Sequence, residues 1–382
     1  MVVIGGGSHG LATAYYLQKE HGIRDVAVLE QRYIGSGAAG RNTTILRSNY
    51  KTPEGARFYD ASLKLYAGLS QELGFNLLFS KRGHLTLAHS DRAMFVMANR
   101  AEVNRQTGID SRLVYPDDIK RLAPAIRIDP NATYPILGAL YHPPGGVIRH
   151  DAVVWGLARG ADRGGIEIHQ NTEVLGIEHR NGRVERVRTN RGTIATNNVV
   201  NCTAGWSTLI CDMVGVRLPI TTHILQACVT EPLKPLLDVV VVSSQMHAYI
   251  SQTDRGEMLM GAEIEPWTTY RMQGTLNFLQ EVCRHTLELF PQLERARILR
   301  SWAGLCDITP DYSPILGRTE VENFHLSAGW GTYGFKAAPI VGKTLAELVA
   351  TGRTPELIAP FALERFYEDR LVSELAAAAV SH

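Results

Sequence analysis

The chain has 382 residues, 45% of them hydrophobic, and its 39 Lys+Arg against 38 Asp+Glu leave a formal net charge of +1. That length allows about two closely joined domains with a full core, and the mixed charges imply no polyanionic partner such as nucleic acid. Its five cysteines form no CxxC pair and no run near 18 apolar residues or cationic leader occurs, so disulfides, a zinc site, secretion and membrane spanning are not expected, and reduced thiols in a cytoplasmic protein are.

In chain order, the apolar run Val2-Val3-Ile4 stops at Gly5-Gly6-Gly7-Ser8-His9-Gly10, and a helical pattern through Leu11, Ala14, Tyr15 and Leu17 follows at once. Gly5, Gly7 and Gly10 fit the dinucleotide fingerprint of strand, tight turn and helix. The first glycine makes the turn, the second lets backbone approach a pyrophosphate, and the third lets helix and strand pack closely. Unpaired N–H groups at the helix start, Ser8 and His9 among them, carry roughly half a positive charge that suits phosphates. For His9 the backbone N–H is expected to matter more than the ring. A second strand, Asp25-Val26-Ala27-Val28-Leu29, ends in Glu30, twenty residues after Gly10. A carboxylate there can bind both hydroxyls of an adenosine ribose. A plain glycine turn with a surface glutamate is the competing reading, and the full strand–turn–helix–strand context disfavours it.

From Tyr33 to Tyr50 small residues crowd and charges are few; Ala38, Ala39, Arg41, Thr43 and Ile45 lie here. Such a segment suits backbone threading past a cofactor, and it favours FAD over a nicotinamide dinucleotide, whose domain would run straight into another βα unit. Residues from about Pro53 to Leu122 read as mainly helical, with a strand at Gly83–Ala88. The stretch Gly138–Asp151 reads as a loop turning into a helix, with Asp151 as N-cap. Strands follow at Ile166–His169 and Thr172–Glu178, Asn181-Gly182 turns a hairpin, and Asn198–Ser207 returns an apolar strand to the glycine layer. Val174 falls where FAD-binding proteins touch the adenine through a backbone group. Between about Leu218 and Arg300 longer alternating strands, Ala248–Gln252 among them, and an amphipathic helix (Leu276, Phe278, Leu279, Val282, Leu287) suggest an antiparallel substrate domain. Phe324–Ala328, the turn Gly329-Trp330-Gly331-Thr332-Tyr333-Gly334 and a helix from Phe335 on would aim a second helix N-terminus at the cofactor.

Three motifs together carry a resemblance: Gly5–Ala12, Arg41-Asn42-Thr43-Thr44-Ile45-Leu46-Arg47-Ser48-Asn49-Tyr50, and Gly329–Lys336. They resemble the beta subunits of heterotetrameric sarcosine oxidases, which belong to the D-amino-acid-oxidase-like flavoproteins. The likeness runs from Val2 into the alanine-rich tail. The first strand begins almost at Met1, so the chain reads as slightly short beside the family pattern. The resemblance implies a mixed α/β (α+β) fold in which an FAD-binding Rossmann-like domain of the glutathione-reductase type interleaves with an antiparallel-sheet substrate domain. The expected division is 1–80, 145–215 and 300–382 for FAD, and 81–144 and 216–299 for substrate.

It further implies non-covalent FAD, held by the glycine turn, Glu30, the 38–45 segment, Val174, Gly331, Gly334 and Lys336. Sarcosine would be oxidised to an imine by hydride transfer from its N-methyl group. Electrons would pass to FMN at the interface with the alpha subunit and then to O2, giving H2O2. The imine would reach the alpha subunit and yield glycine with formaldehyde or 5,10-methylenetetrahydrofolate. Gamma and delta subunits complete the family's assembly. Arg47 matches the carboxylate-binding arginine, whose planar guanidinium can take a carboxylate with two parallel bonds. Lys336 matches the lysine that faces both flavin and carboxylate. His150 matches the histidine that attaches FMN covalently, and Arg149 stands where the family has a lysine in the FMN site. Tyr249 could face the cavity over the flavin. Read singly, these would be an ion-paired arginine, a snorkelling lysine, a loop histidine and a sheet aromatic.

Monomeric relatives anchor FAD through a cysteine five positions before the threonine of a Thr-Pro-Asp turn. Here the turn is Thr309-Pro310-Asp311 and that position is Gly304. Cys306 shares a strand face with Gly304 but lies roughly 6–7 Å further along, so it is expected to be a packing residue. Two alternatives stay open: another small secondary amino acid such as proline as substrate, and a non-catalytic flavin scaffold.

Overall fold

The computed structural model describes residues 1–374; the alanine-rich tail lies outside the described residues. The chain is built on two large sheets joined along a seam. The first has six strands in the order Ile315–Gly317, Phe324–Ala328, Val199–Asn201, Val2–Ile4, Ala27–Leu29 and Glu167–His169. All neighbours run parallel except the outermost pair, Ile315–Gly317 with Phe324–Ala328. Val2 and Val3 are fully buried, as strands covered on both faces require, which is why the run before Gly5 does not alternate. Helices Ser8–His21, His150–Arg163 and Gly334–Thr351 pack together with it, and their apolar residues form one continuous core.

The second sheet has eight strands, in the order Ile298–Ile308, Thr221–Pro232, Glu257–Ile264, Ala248–Gln252, Val240–Ser243, His84–Ala88, Gly138–His142 and Arg112–Val114. It is antiparallel apart from Val240–Ser243 against His84–Ala88. The mixed α/β architecture and the antiparallel second sheet match the sequence reading. The boundary at residue 300, however, falls inside a strand. Ile298–Ile308 pairs with Thr221–Pro232 from Thr221 opposite Ile308 to Thr230 opposite Ile298, so the second sheet's strand continues to residue 308.

Two local readings need correction. Gly138–His142 is a strand paired on both sides, not loop, and Gly146–Val147 adds a short strand against Ile45–Leu46 and Ser80–Lys81. The following helix starts at His150 with Arg149 as its N-cap and no side-chain cap. Asp151 sits inside the first turn, where its carboxylate accepts from the Arg149 guanidinium at 2.8 Å. That pairing, with an acid near the helix N-terminus, replaces the capping role. By contrast, Thr52 caps the helix Pro53–Leu73 by accepting from Gly55 N–H, and Ser90 caps Asp91–Gln106 in the same way.

The segment after Gly334–Thr351 is fastened by one fully buried ion pair. Arg365 Nε and Nη2 donate to Asp311 Oδ2 and Oδ1 at 2.8 and 3.0 Å, and the guanidinium also reaches the carbonyls of Phe361, Ala362 and Ser313. Asp311 accepts in addition from Ser313 and Val372 N–H. Removing one partner leaves an uncompensated buried charge, so Arg365→Met is expected to cost about 3–5 kcal/mol. Denaturant unfolding of the purified chain measures it, and an unchanged midpoint would show that the pair is dispensable.

Candidate active site

At the C-terminal end of Val2–Ile4 the chain turns through Gly5, whose φ of 108° is open to glycine and whose added Cβ would collide with the Cys202 carbonyl. A Cβ on Gly10 would overlap the Gly5 carbonyl oxygen, so helix and turn meet at backbone distance. A Cβ on Gly7 would make only an ordinary contact with Ala39. The smallness of Gly7 therefore serves a space that protein does not fill. That space is a cleft of about 280 Å³ lined by Gly5, Gly7, Ser8, His9, Glu30 and Val174, by Ala38, Ala39, Arg41 and Thr43, and by Gly331 and Gly334. Gly10 packs behind it.

Glu30 is held at the strand end by two backbone donors. Gly6 N–H reaches Oε2 and Arg32 N–H reaches Oε1, each at 2.9 Å, and Ser36 Oγ–H adds a longer contact to Oε1. The carboxylate is thus oriented before any ligand arrives. A glycine-floored turn, a helix N-terminus and a fixed acid on the neighbouring strand end fit a dinucleotide, and the length of the cleft past Ala39 to Gly331 fits FAD. Gly304 and Cys306 both line it. The expected Cβ of Gly304 would lie 3.1 Å from Arg41 Cβ. Cys306 is buried, and burial pushes its thiol well above the ordinary range, so it stands on the cleft wall as a neutral, unreactive group.

His9 differs most from its sequence reading. Its backbone lies at the helix start as expected, but its ring bridges two parts of the site. Trp330 Nε1–H donates to Ser327 Oγ, which lies 3.0 Å from His9 Nδ1, and His9 Nε2 lies 2.8 Å from the Gly334 carbonyl. A carbonyl only accepts, so the proton sits on Nε2 and Nδ1 accepts from the serine. Burial pushes the imidazole down to about 4, which keeps this tautomer neutral. No periodicity or motif signals a partner 325 residues away.

Past Thr43 the cleft opens into a second cavity of about 90 Å³, and Arg47, Tyr249 and Lys336 all line it, with Ile45 on its wall. They come from three places: the segment after Ile45–Leu46, the strand Ala248–Gln252 and the start of the helix Gly334–Thr351. Arg47 is buried; its Nη1 donates to the Asn49 carbonyl and Oδ1, and its guanidinium stands 4.5 Å from the Tyr50 ring centre. Lys336 Nζ donates to the Thr332 carbonyl at 3.1 Å, and burial together with Arg47 holds its ammonium well below the usual range. The Tyr249 hydroxyl is buried without a hydrogen-bond partner, and Gly261 leaves room for it, since any Cβ there would overlap the phenol. Arg100, which no sequence motif singled out, lines the same cavity.

His150 and Arg149 line neither space. His150 stands at the first turn of its helix, with Nδ1 buried, unbonded and 3.8 Å from the Asp151 carboxylate. Burial pushes its ring below the ordinary histidine range, which favours the neutral form. Arg149 is engaged with Asp151. Among the described residues no group of three or more His, Cys, Asp or Glu could hold a metal, and no helix is long and apolar enough to cross a membrane.

Comparison with known proteins bears on the whole chain. The family model for FAD dependent oxidoreductases (DAO) matches residues 1–348. The sarcosine oxidase subunit beta of Rhizobium meliloti is 46% identical over 98% of this chain and 90% of its own, and that of Rhodobacter capsulatus is 44% identical over 100% and 92%. Among solved structures, the L-proline dehydrogenase from P. horikoshii superposes with a TM-score of 0.91 at 32% identity, covering 97% of this chain and 98% of that one. The chain accordingly belongs to the FAD-dependent oxidoreductase family, and within it to the sarcosine oxidase beta subunits.

Proposed function

We propose that this chain is the amine-oxidising subunit of a sarcosine oxidase assembled with alpha, gamma and delta subunits, and that it works in the cytoplasm. The observation that supports this reading is the convergence of Arg47, Lys336 and Tyr249 on one small cavity that adjoins the dinucleotide cleft. Gly5, Gly7, Ser8 and His9 would hold the pyrophosphate of FAD, with Gly10 letting helix and turn pack close behind them; Glu30 would hold the ribose and the backbone of Val174 the adenine. Ala38, Ala39, Arg41, Thr43, Ile45, Gly331, Gly334 and Lys336 border the rest. When bound, FAD supplies the two-electron acceptor.

Arg47 takes the sarcosine carboxylate with two parallel hydrogen bonds, and its hold on Asn49 fixes the plane of the fork. Lys336 binds the same carboxylate. In the free site burial and Arg47 oppose the lysine's charge; an incoming anion reverses that field and favours the ammonium. With the acid end fixed, the amine and its methyl group have one orientation left, toward the cleft. The two cations also disfavour a protonated amine, so the lone pair that oxidation of the neighbouring C–H bond requires is kept free. Tyr249, whose side chain lines the cavity beside them, contacts the amine end.

FMN would attach at His150, whose neutral ring is the nucleophile that the family resemblance calls for, with Arg149 beside it at the junction with the alpha subunit. The overall reaction is oxidative demethylation of sarcosine, with O2 reduced to H2O2 and the one-carbon unit released as formaldehyde or captured as 5,10-methylenetetrahydrofolate. A second reading keeps the chemistry and changes the substrate to another small secondary amino acid. It is favoured by the likeness to an L-proline dehydrogenase, because Arg47 and Lys336 ask only for a carboxylate. Anaerobic addition of sarcosine and of proline to the FAD-loaded protein separates the two: the substrate is the one that bleaches flavin absorbance, and bleaching by neither overturns both.

Lys336→Ala is expected to retain FAD and lose about 10- to 100-fold in kcat/KM for sarcosine, the worth of one charge-assisted contact. Wild-type turnover would remove the lysine from the site. For the assembled enzyme, a flavin should survive acid precipitation on a peptide containing His150, and His150→Ala should abolish it while non-covalent FAD remains. Acid-stable flavin in that variant would refute the attachment.

A further inference from the structure

Arg100 lies near the middle of the helix Asp91–Gln106, far in sequence from every motif of the site. It is 5% exposed, yet its guanidinium makes a single hydrogen bond, Nε to the Asn49 carbonyl at 2.5 Å, and Nη2 is buried with no partner. Arg47 Nη1 donates to that same carbonyl at 3.3 Å. Two guanidiniums thus share one neutral acceptor at the wall of the cavity that Lys336 also lines. Glu374, whose field favours the charged Arg100, already accepts from the N–H groups of Lys51 and Thr52.

A buried arginine kept for structure looks different in this protein. Arg365 is 1% exposed and satisfies Nε, Nη1 and Nη2 with a carboxylate and three carbonyls. Arg100 leaves most of its fork unused, which is costly for a desolvated charge. Burial and the neighbouring Arg47 push it down to about 9, and the Glu374 carboxylate offsets them only in part. An anion in the cavity would relieve the burden on all three cations at once.

We propose that Arg100 is the second guanidinium of the carboxylate site: its free edge binds the substrate carboxylate, while its Nε, through the shared Asn49 carbonyl, fixes where Arg47 points. The inference rests on the amine-oxidising reading above and deepens it. The substrate class is then defined by its acid end, held by three cations, and an amine without a carboxylate is excluded. It also makes Arg100 a residue that separates carboxylates from their neutral amides.

The test uses FAD-loaded wild-type, Arg100→Gln and Arg100→Lys proteins, with pyrrole-2-carboxylate and pyrrole-2-carboxamide as probes read by the change they cause in flavin absorbance. Arg100→Gln is expected to weaken the carboxylate by about tenfold or more, to leave the amide within about twofold, and to raise KM for sarcosine more than it lowers kcat. Arg100→Lys keeps the charge without the fork and is expected to fall between the two. Equal losses for acid and amide, or wild-type carboxylate affinity in Arg100→Gln, overturn the proposal. Should Arg100→Gln fail to take up FAD, Arg100→Lys decides alone: weakened carboxylate binding with the amide unchanged supports it, and wild-type affinity overturns it. Wild-type protein that holds FAD but neither bleaches with sarcosine nor responds to the carboxylate would instead fail the underlying reading, and the inference with it.

Discussion

The bridge made by one neutral imidazole holds the site together. His9 ties the first turn of the helix Ser8–His21 to the first turn of Gly334–Thr351, and behind it the two helices touch where a Cβ on Gly342 would strike Ala12. Both helix N-termini consequently open on one cleft, and their positive ends add where a dinucleotide's charges would lie. Because burial keeps the ring far from protonation at neutral pH, the bridge adds no charge of its own and does not loosen as the medium changes. The phosphate end is positive by backbone geometry alone, a field that no titration removes.

The opposite end works by side-chain charge. Arg47, Arg100 and Lys336 reach one small cavity from a loop, a helix of the second lobe and a helix of the first. Neither lobe contains a complete set. The cavity therefore lies where the two lobes meet, and the long pairing of Ile298–Ile308 with Thr221–Pro232 places Gly304 and Cys306 against the adjoining cleft. Aromatic faces and carbonyls ease the crowding of these cations: Tyr50 and Tyr333 lie against Arg47, and Tyr333 also lies near Lys336.

Much of this was legible in the sequence because it is local. The glycine turn, Glu30 at the end of the second strand, the Asn181-Gly182 hairpin and the helix after Gly334 each follow from residues within a few positions of one another. Arg47 and Lys336 were found through motifs, and the fold brings them to one cavity. What escaped depends on distant partners. Gly138–His142 looked like loop because glycine at its start and His-Pro-Pro-Gly-Gly after it are breakers, but its backbone is claimed by strands on both sides. Asp151 looked like a cap until Arg149 took its carboxylate. The ring of His9 and the fork of Arg100 carry no local signature at all, since each gains its meaning from a residue in another element.

The order of the parallel sheet has a consequence for how the protein folds. Val2–Ile4 is flanked by Val199–Asn201, which in turn pairs with Phe324–Ala328, so the strands on this side all come later in the chain. Until Val199–Asn201 is in place this apolar segment has no native neighbour on that side, and such unpaired edges are where folding chains associate wrongly. Closing this sheet thus demands pairings between segments far apart in the chain, a non-local order that slows folding and leaves the central strand's edge open meanwhile.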